Sequence, residues 1–343
     1  MSGEVSRAPW STARARRGLW GVVAVLLLFD ALALLAGEAP RDALWRALAG
    51  TWGTAYGLGQ VIYKATPLLL TGLGFRVALR AGLFNIGVEG QLLLGSFAAG
   101  LVASRLPPGT PWPLGVAVAL GAALLGGGGL GAAAGWMKVR FGAHEVITTL
   151  LLNRVAEALV PFFLQHGAGA TGYRTGDAVA GALLPRLERL GDALRGSAAS
   201  AAAPLALLLC VAVVRWQERS RAGRELRWIG QGSEACEAQG LPVGRRLVLA
   251  MALSGGLAGL GAGATVLGYK GYYELGLGAG AGFGGIAVAM LGQGGWGSLV
   301  GAALLLGTLQ QAGLVLNASV PKEAMDVLTA LVLVVASAGR KRS

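Results

Sequence analysis

The most constraining feature of this sequence is the recurrence of long apolar runs, each near the roughly 20 residues that an α-helix needs to cross a lipid bilayer. Ten such elements are read along the chain, at 19–36, 52–72, 86–104, 113–137, 145–165, 200–216, 247–268, 281–293, 298–316 and 323–338. In hydrocarbon no water satisfies the backbone N–H and C=O groups, so runs of this kind close their hydrogen bonds internally as helices. The expected fold class is therefore all-α, a polytopic transmembrane helix bundle of about 10 membrane elements. The eighth run is too short to cross comfortably. It predicts a half-helix or re-entrant element lining a cavity, where irregular backbone is tolerated.

The first run follows Arg7, Arg14, Arg16 and Arg17, an order that resembles a secretory signal. The run is long for a signal's apolar core, and Gly37-Glu38-Ala39-Pro40 is only a passable cleavage site. A first transmembrane helix that stays attached is expected. Charged residues make up 13% of the chain, about half the share of a soluble domain, and 58 of its 343 residues are Gly. Small residues let helices approach closely in a bilayer, where packing drives association. The net charge of +12 does not point to nucleic acid, because the basic residues sit between apolar runs rather than on one polar face.

Loop charge sets the expected orientation. Lys and Arg concentrate on cytoplasmic loops, which places the basic 1–18 tail inside. Segments 73–85 (Arg76, Arg80) and 138–144 (Lys138, Arg140) follow it, as do loop 217–246 and the 339–343 tail. Loop 37–51, whose Arg41 and Arg46 are balanced by Glu38 and Asp42, and the longer segment 166–199 fall outside. A short exposed helix is expected near Arg186–Leu190. Ten crossings with both termini cytoplasmic satisfy these constraints.

Several chemistries find no support. Cys210 lies in an apolar run and Cys236 in a polar loop, so neither a disulfide nor a Cys-based metal site is expected. His144 and His166 are too sparse for zinc. With no acid–base cluster or nucleophile elbow, an enzyme is not expected, and no cofactor is implied. The sequence contains no GxxxxGK[ST], so any ATP-driven role needs a separate subunit.

Three stretches stand out. In Gly82-Leu83-Phe84-Asn85-Ile86-Gly87-Val88-Glu89-Gly90-Gln91, two amides and a carboxylate open an apolar helix. Polar groups at membrane depth usually face a cavity or a partner. Asn85, Glu89 and Gln91 therefore either line or gate a pathway, or form a cap and an interhelical hydrogen bond. Glu234-Ala235-Cys236-Glu237-Ala238-Gln239-Gly240 predicts a short helix closed by Gly240, suited to docking in a groove on a cytoplasmic partner. The glycines of Gly282-Phe283-Gly284-Gly285 either bring backbone close to a solute, with the free N–H groups of a half-helix start, or serve tight packing. Phe84, Phe283, Trp52 and Tyr56 are candidate aromatic surfaces for a planar ligand. Asp30, Lys64, Arg154 and Glu157 are further intramembrane charges, the last two spaced i, i+3 as a pair.

At these stretches the chain resembles permease subunits of ATP-binding-cassette importers, in the branched-chain amino acid, ribose and nucleoside group. Phe84 to Gln91 is similar to the group's signature. His144-Glu145-Val146-Ile147-Thr148-Thr149-Leu150-Leu151-Leu152-Asn153 is similar to a segment of the nucleoside branch, with His144 where that branch usually has Asn. Glu234-Ala235-Cys236 with Gly240 resembles the group's coupling loop, with Cys as the third residue. Ser254-Gly255-Gly256-Leu257-Ala258-Gly259 and Gly282 to Ala289 match the nucleoside branch too. The resemblance covers roughly 52–338. It implies translocation of a nucleoside or related sugar-bearing solute, beside a homologous permease or second copy. Cytoplasmic ATPase subunits and an extracytoplasmic binding protein complete the expected assembly, in a bacterial cytoplasmic membrane. Glu234, Ala235 and Gly240 would belong to ATPase coupling, and Phe84, Asn85, Glu89, Gln91, Phe283 and Gly284 to the solute pathway. The alternative is an ion-coupled secondary transporter using Asp30, Lys64 or Glu157.

Overall fold

The computed structural model describes residues 10–167, 172–190, 194–317 and 319–338. Residues 1–9 of the first basic tail, the whole 339–343 tail, and parts of segment 166–199 lie outside the described residues. In chain order the helices are α1 (Trp10–Leu35), α2 (Pro40–Thr51), α3 (Ala55–Arg80), α4 (Val88–Ala103), α5 (Trp112–Phe141), α6 (Glu145–His166), α7 (Ala202–Arg219), α8 (Arg221–Gln231), α9 (Ser233–Ala238), α10 (Val243–Gly259), α11 (Ala281–Leu291), α12 (Trp296–Leu316) and α13 (Lys322–Ala338). A helix stands at every one of the ten expected places, and the chain is all-α. Extended pairing among the described residues is limited to two isolated bridges, Arg174 with Glu274 and Arg186 with Ser200.

Four helical stretches are long and apolar enough to cross a membrane: α5, α6, Val243–Lys270 and α12. A fifth span arises if Val23–Leu35 and Pro40–Thr51, bent by 107°, are taken together. Helices α4 and α11 are apolar but shorter.

Two compact units divide the chain. The first joins the segment up to Thr54 with the segment from Leu309. Its core sets Phe29, Ala33, Ala43 and Ala47 against Leu316, Val320, Met325 and Leu328. The sequence reading places a loop over 37–51, whereas the structure forms α2 there. Pro40 sits in the first helical turn, where its missing N–H costs nothing, and Asp42 complements the helix dipole. Glu38 and Arg46 pair at 2.6 Å, and Arg46 reaches Ser319 at 3.3 Å.

The second unit, Ala55–Thr308, is built around α10. Along α5, Gly127, Gly131 and Gly135 meet Gly255, Met251 and Val248 of α10 in turn. Rising numbers on one helix meet falling numbers on the other, so the two run antiparallel. Side-chain-free positions at each crossing bring the backbones together, as expected where dispersion rather than water expulsion drives packing. Helix α3 also runs antiparallel to α10, with Gly74 against Ser254 and Ala78 clustered with Ala250 and Met251. Past α10, the stretch Gly259-Leu260-Gly261-Ala262-Gly263 has low helix propensity. The ladder slips there, and the chain continues as a π-helix over Gly263–Lys270. The exposed helix expected near Arg186–Leu190 is a 3₁₀ turn at Leu187–Leu190.

Candidate functional site

Helix α11 is 11 residues long, about half a membrane span, and both its ends are held by charged side chains from elsewhere in the fold. A helix start leaves N–H groups without intrahelical partners and carries partial positive charge. Here Gly280 N–H donates to Glu89 Oε1 at 2.6 Å, while Gly282 and Phe283 N–H donate to Glu89 Oε2 at 2.7 and 3.2 Å. The donors that the sequence reading leaves free at this half-helix start are thus taken by Glu89, in the first turn of α4. Gly282 lies so close that an added Cβ would strike the Glu89 backbone. At the opposite end, Arg76 of α3 donates to the carbonyls of Gly292, Gln293 and Gly294 at 3.3, 3.3 and 2.7 Å. A carboxylate faces the positive pole of α11 and a guanidinium its negative pole. Between them the Thr71 hydroxyl lies 2.8 Å from the carbonyls of both Pro67 and Ala281, and fixes α11 against α3.

The entry into α4 is held by neutral amides. Asn85 Nδ2 donates to Gln91 Oε1 at 2.9 Å and to Ser254 Oγ at 2.8 Å, while its Oδ1 accepts from Gly87 N–H at 3.0 Å. Asn153 of α6 accepts from Gly90 N–H at 2.9 Å and donates to the Ile86 carbonyl at 3.1 Å. Asn85 is 0% exposed and Gln91 1%; the bonds tie the loop before α4 to α4 itself and to α10, while Gly87 stands at the N-cap of α4 without a side-chain cap. Glu89, Phe84 and Gly284 are partly exposed and Phe283 is exposed. The Phe84 ring stands edge-on to Phe75 at 4.9 Å. Replacing Asn85 by Ala would leave Gln91, Ser254 and the Gly87 N–H short of a partner. A cost of about 1–3 kcal/mol is expected, read as a lowered melting temperature of the purified protein.

The second candidate element is the turn of helices between α7 and α10. Glu225 of α8, 2% exposed, pairs with Arg221 at 2.9 Å and with Arg246 of α10 at 2.5 Å. Cys236 packs with Ile229 and Val243. This small apolar seat accommodates a thiol in place of the methyl group that the family resemblance would put there. Glu234 and Ala235 stay exposed. An open groove of about 430 Å³ is lined by Trp228, Gln231, Ala235 and Gln239 among others. Gly240 turns the chain with φ +80°, in the left-handed region.

Arg76 is the residue that sequence reasoning missed. It is counted there as loop charge in 73–85, but α3 continues to Arg80 and Arg76 is 4% exposed. Its signal is an arginine one turn inside an apolar helix, too deep to be a plain loop charge. The remaining intramembrane charges form no cluster with the site. Arg154 and Glu157 pair with each other at 2.7 Å. Asp30 is exposed, and Lys64 is half-buried in α3.

Helix α11 is thus held at both of its poles, and a separate polar helical turn lies between α7 and α10. The chain is similar to the guanosine ABC transporter permease protein NupP of Bacillus subtilis, at 34% identity covering 90% of this chain and 87% of the relative. A glucose ABC transporter permease protein of Haloferax volcanii is 32% identical, covering 95% of this chain and 85% of the relative. A nucleoside ABC transporter permease protein of Lactococcus lactis is 29% identical, covering 82% and 79%. The family model described as branched-chain amino acid transport system / permease component matches residues 57–337, which takes in α11, both of its charged anchors and the helical turn between α7 and α10. By that match the chain belongs to this family of transport permeases.

Proposed function

We propose that the chain is the membrane-spanning subunit of an ATP-binding-cassette importer that carries a nucleoside, or a related sugar-containing small solute, across a bacterial cytoplasmic membrane. The observation that carries the reading is the 34% identity to a guanosine permease over 90% of this chain. The relatives' names also include glucose and riboflavin, so the shared chemistry is a polar, hydroxyl-rich solute of modest size. ATP is hydrolysed by partner subunits on the cytoplasmic side, and an extracytoplasmic binding protein delivers the solute. A second permease, homologous or identical, completes the pathway. The chain forms about ten membrane elements with both termini inside, α11 being the shortest of them.

In this reading Glu89 fixes the start of α11, so that Phe283, Gly284 and Phe84 face the pathway, with Asn85 and Gln91 holding the α4 entry behind them. Glu234 and Ala235 contact the ATPase, and Gly240 sets the turn that presents them. The test is uptake of radiolabelled guanosine, and of glucose, by the complete transporter in proteoliposomes. ATP inside the partner-facing compartment should drive uptake, and a proton or sodium ionophore should leave it intact. Uptake that persists without ATP and collapses with the ionophore would identify an ion-coupled carrier instead.

Gly240 gives a separate expectation. A Cβ there meets nothing within 4 Å, so a substitution is penalised by backbone conformation alone. Left-handed backbone costs a β-branched residue about 1–2 kcal/mol, while Asn tolerates it. Gly240→Val should therefore uncouple or detach the ATPase, with Gly240→Asn close to wild type. Co-purification and solute moved per ATP are the measurements.

A further inference from the structure

Arg76 touches more than the end of α11. Its Nε donates to Gln217 Oε1 at 3.2 Å, and Gln217 is 1% exposed. Its Nη2 faces Glu218 Oε1 at 4.0 Å, an ion pair too long for a hydrogen bond. Among the described residues Nη2, although buried, has no hydrogen-bond partner, and neither has Gln217 Nε2. A buried guanidinium N–H left open is costly, and a carboxylate waiting about 1 Å beyond bonding distance can close it.

The position of Gln217 and Glu218 makes this open contact informative. Both lie in the last turn of α7, which ends at Arg219. Ser220 then caps α8, its Oγ accepting from Gly223 N–H at 2.9 Å. Gly223 sits so tightly on Gln217 that a Cβ would strike its backbone. Gly230, near the end of α8, packs in the same way on Arg80 and Gly82 at the end of α3. Helix α8, which with α9 forms the proposed coupling turn, thus sits directly on α7 and α3. A displacement of α8 therefore moves the α7 terminus relative to Arg76, and Arg76 is bonded to three carbonyls at the end of α11.

We propose that Arg76 is the positioning residue that carries movement of the coupling turn to α11, by closing a hydrogen bond to Glu218 in one state of the transport cycle and opening it in the other. The proposal rests on the importer reading above. It treats the Arg76–Glu218 contact as a two-state element biased by the docked ATPase, with a population shift of about tenfold from one charge-assisted bond.

The experiment uses the complete transporter, with its ATPase and binding protein, in proteoliposomes. Variants are Glu218→Gln, Arg76→Lys and the double substitution. Guanosine moved per ATP is one readout. Stimulation of ATP hydrolysis by the binding protein is the other, and it does not depend on the choice of solute. Glu218 is 44% exposed, so Glu218→Gln should keep the melting temperature and the assembled complex. Gln keeps an acceptor oxygen but not the charge that strengthens the bond, and both coupling readouts should nevertheless fall about tenfold. The double variant should be no worse than the more severe single one, because both act through one bond. Wild-type coupling in Glu218→Gln, or losses that multiply in the double variant, would overturn the proposal. If Arg76→Lys folds poorly, Glu218→Gln decides alone. Gly240→Val separates the two levels. If it uncouples and Glu218→Gln does not, only the Arg76 connection fails; if neither changes coupling, the assignment of the coupling turn fails with it.

Discussion

Glu89→Ala is expected to reduce solute uptake by about a hundredfold or more while the permease still assembles with its ATPase. The magnitude follows from what the carboxylate does. It accepts three backbone N–H groups at the start of α11. Hydrogen bonds to a charged group contribute about 1.5–3 kcal/mol each, and a negative charge at a helix start adds roughly 0.3–1 kcal/mol. Water or neighbouring groups recover part of this when the side chain is removed. A residual loss of about 3 kcal/mol corresponds to roughly a hundredfold. Glu89→Gln should fall between wild type and Glu89→Ala, because it keeps one acceptor oxygen but turns an N–H donor toward donors. Uptake and ATPase co-purification measured on the same preparations check the expectation. Wild-type uptake in Glu89→Ala would mean that α11 is positioned by packing alone.

The second large effect concerns stability. Gly127 and Gly129 stand in one run of four glycines in α5 and face opposite fates. A Cβ on Gly127 would overlap the Gly255 carbonyl oxygen and approach the Gln91 carbonyl at 2.8 Å, whereas one on Gly129 meets nothing within 4 Å. Gly127→Ala should therefore force α5 away from α10, at a cost of about 1–3 kcal/mol or more, because backbone cannot step aside as a side chain can. Gly129→Ala should be neutral, or gain up to about 1 kcal/mol in helix propensity. Detergent-solubilised yield and melting temperature of the pair give the comparison. Equal behaviour of the two would refute the close seam.

These residues also indicate which parts of the structure are readable without coordinates. The helices are legible because lipid enforces internal hydrogen bonding, and each run of sufficient length declares itself. The short eighth run, 281–293, is legible for the same reason, as an element too brief to span, and α11 follows it closely. Helix α2 is not, because its pattern is short and as polar as a loop. The site is half legible. Phe84 to Gln91 stands out as polar residues beside an apolar run, but the same residues could line a path or cap a helix. The structure adds bonds from Asn85 to Gln91 and Ser254, and no spacing rule relates positions 85 and 254. Arg76 is lost for another reason. Charge-based topology counts arginines by their place in a loop, and this one lies inside a helix and bonds carbonyls 216 to 218 positions away.

The anchoring of α11 has a consequence for how sequences of this kind can diverge. Glu89 grips backbone N–H groups, which every amino acid but proline carries, and Arg76 grips carbonyls, which all carry. Other side chains along α11 can therefore be exchanged without disturbing either grip, provided Gly282 and Gly285 stay small. Paired substitutions between Glu89 and α11 should be scarce among homologues, even though the contact is intimate. On the proposed pathway, the exposed side chain at Phe283 becomes a position where evolution, or a randomised library, can retune solute preference while the mechanical frame is inherited intact.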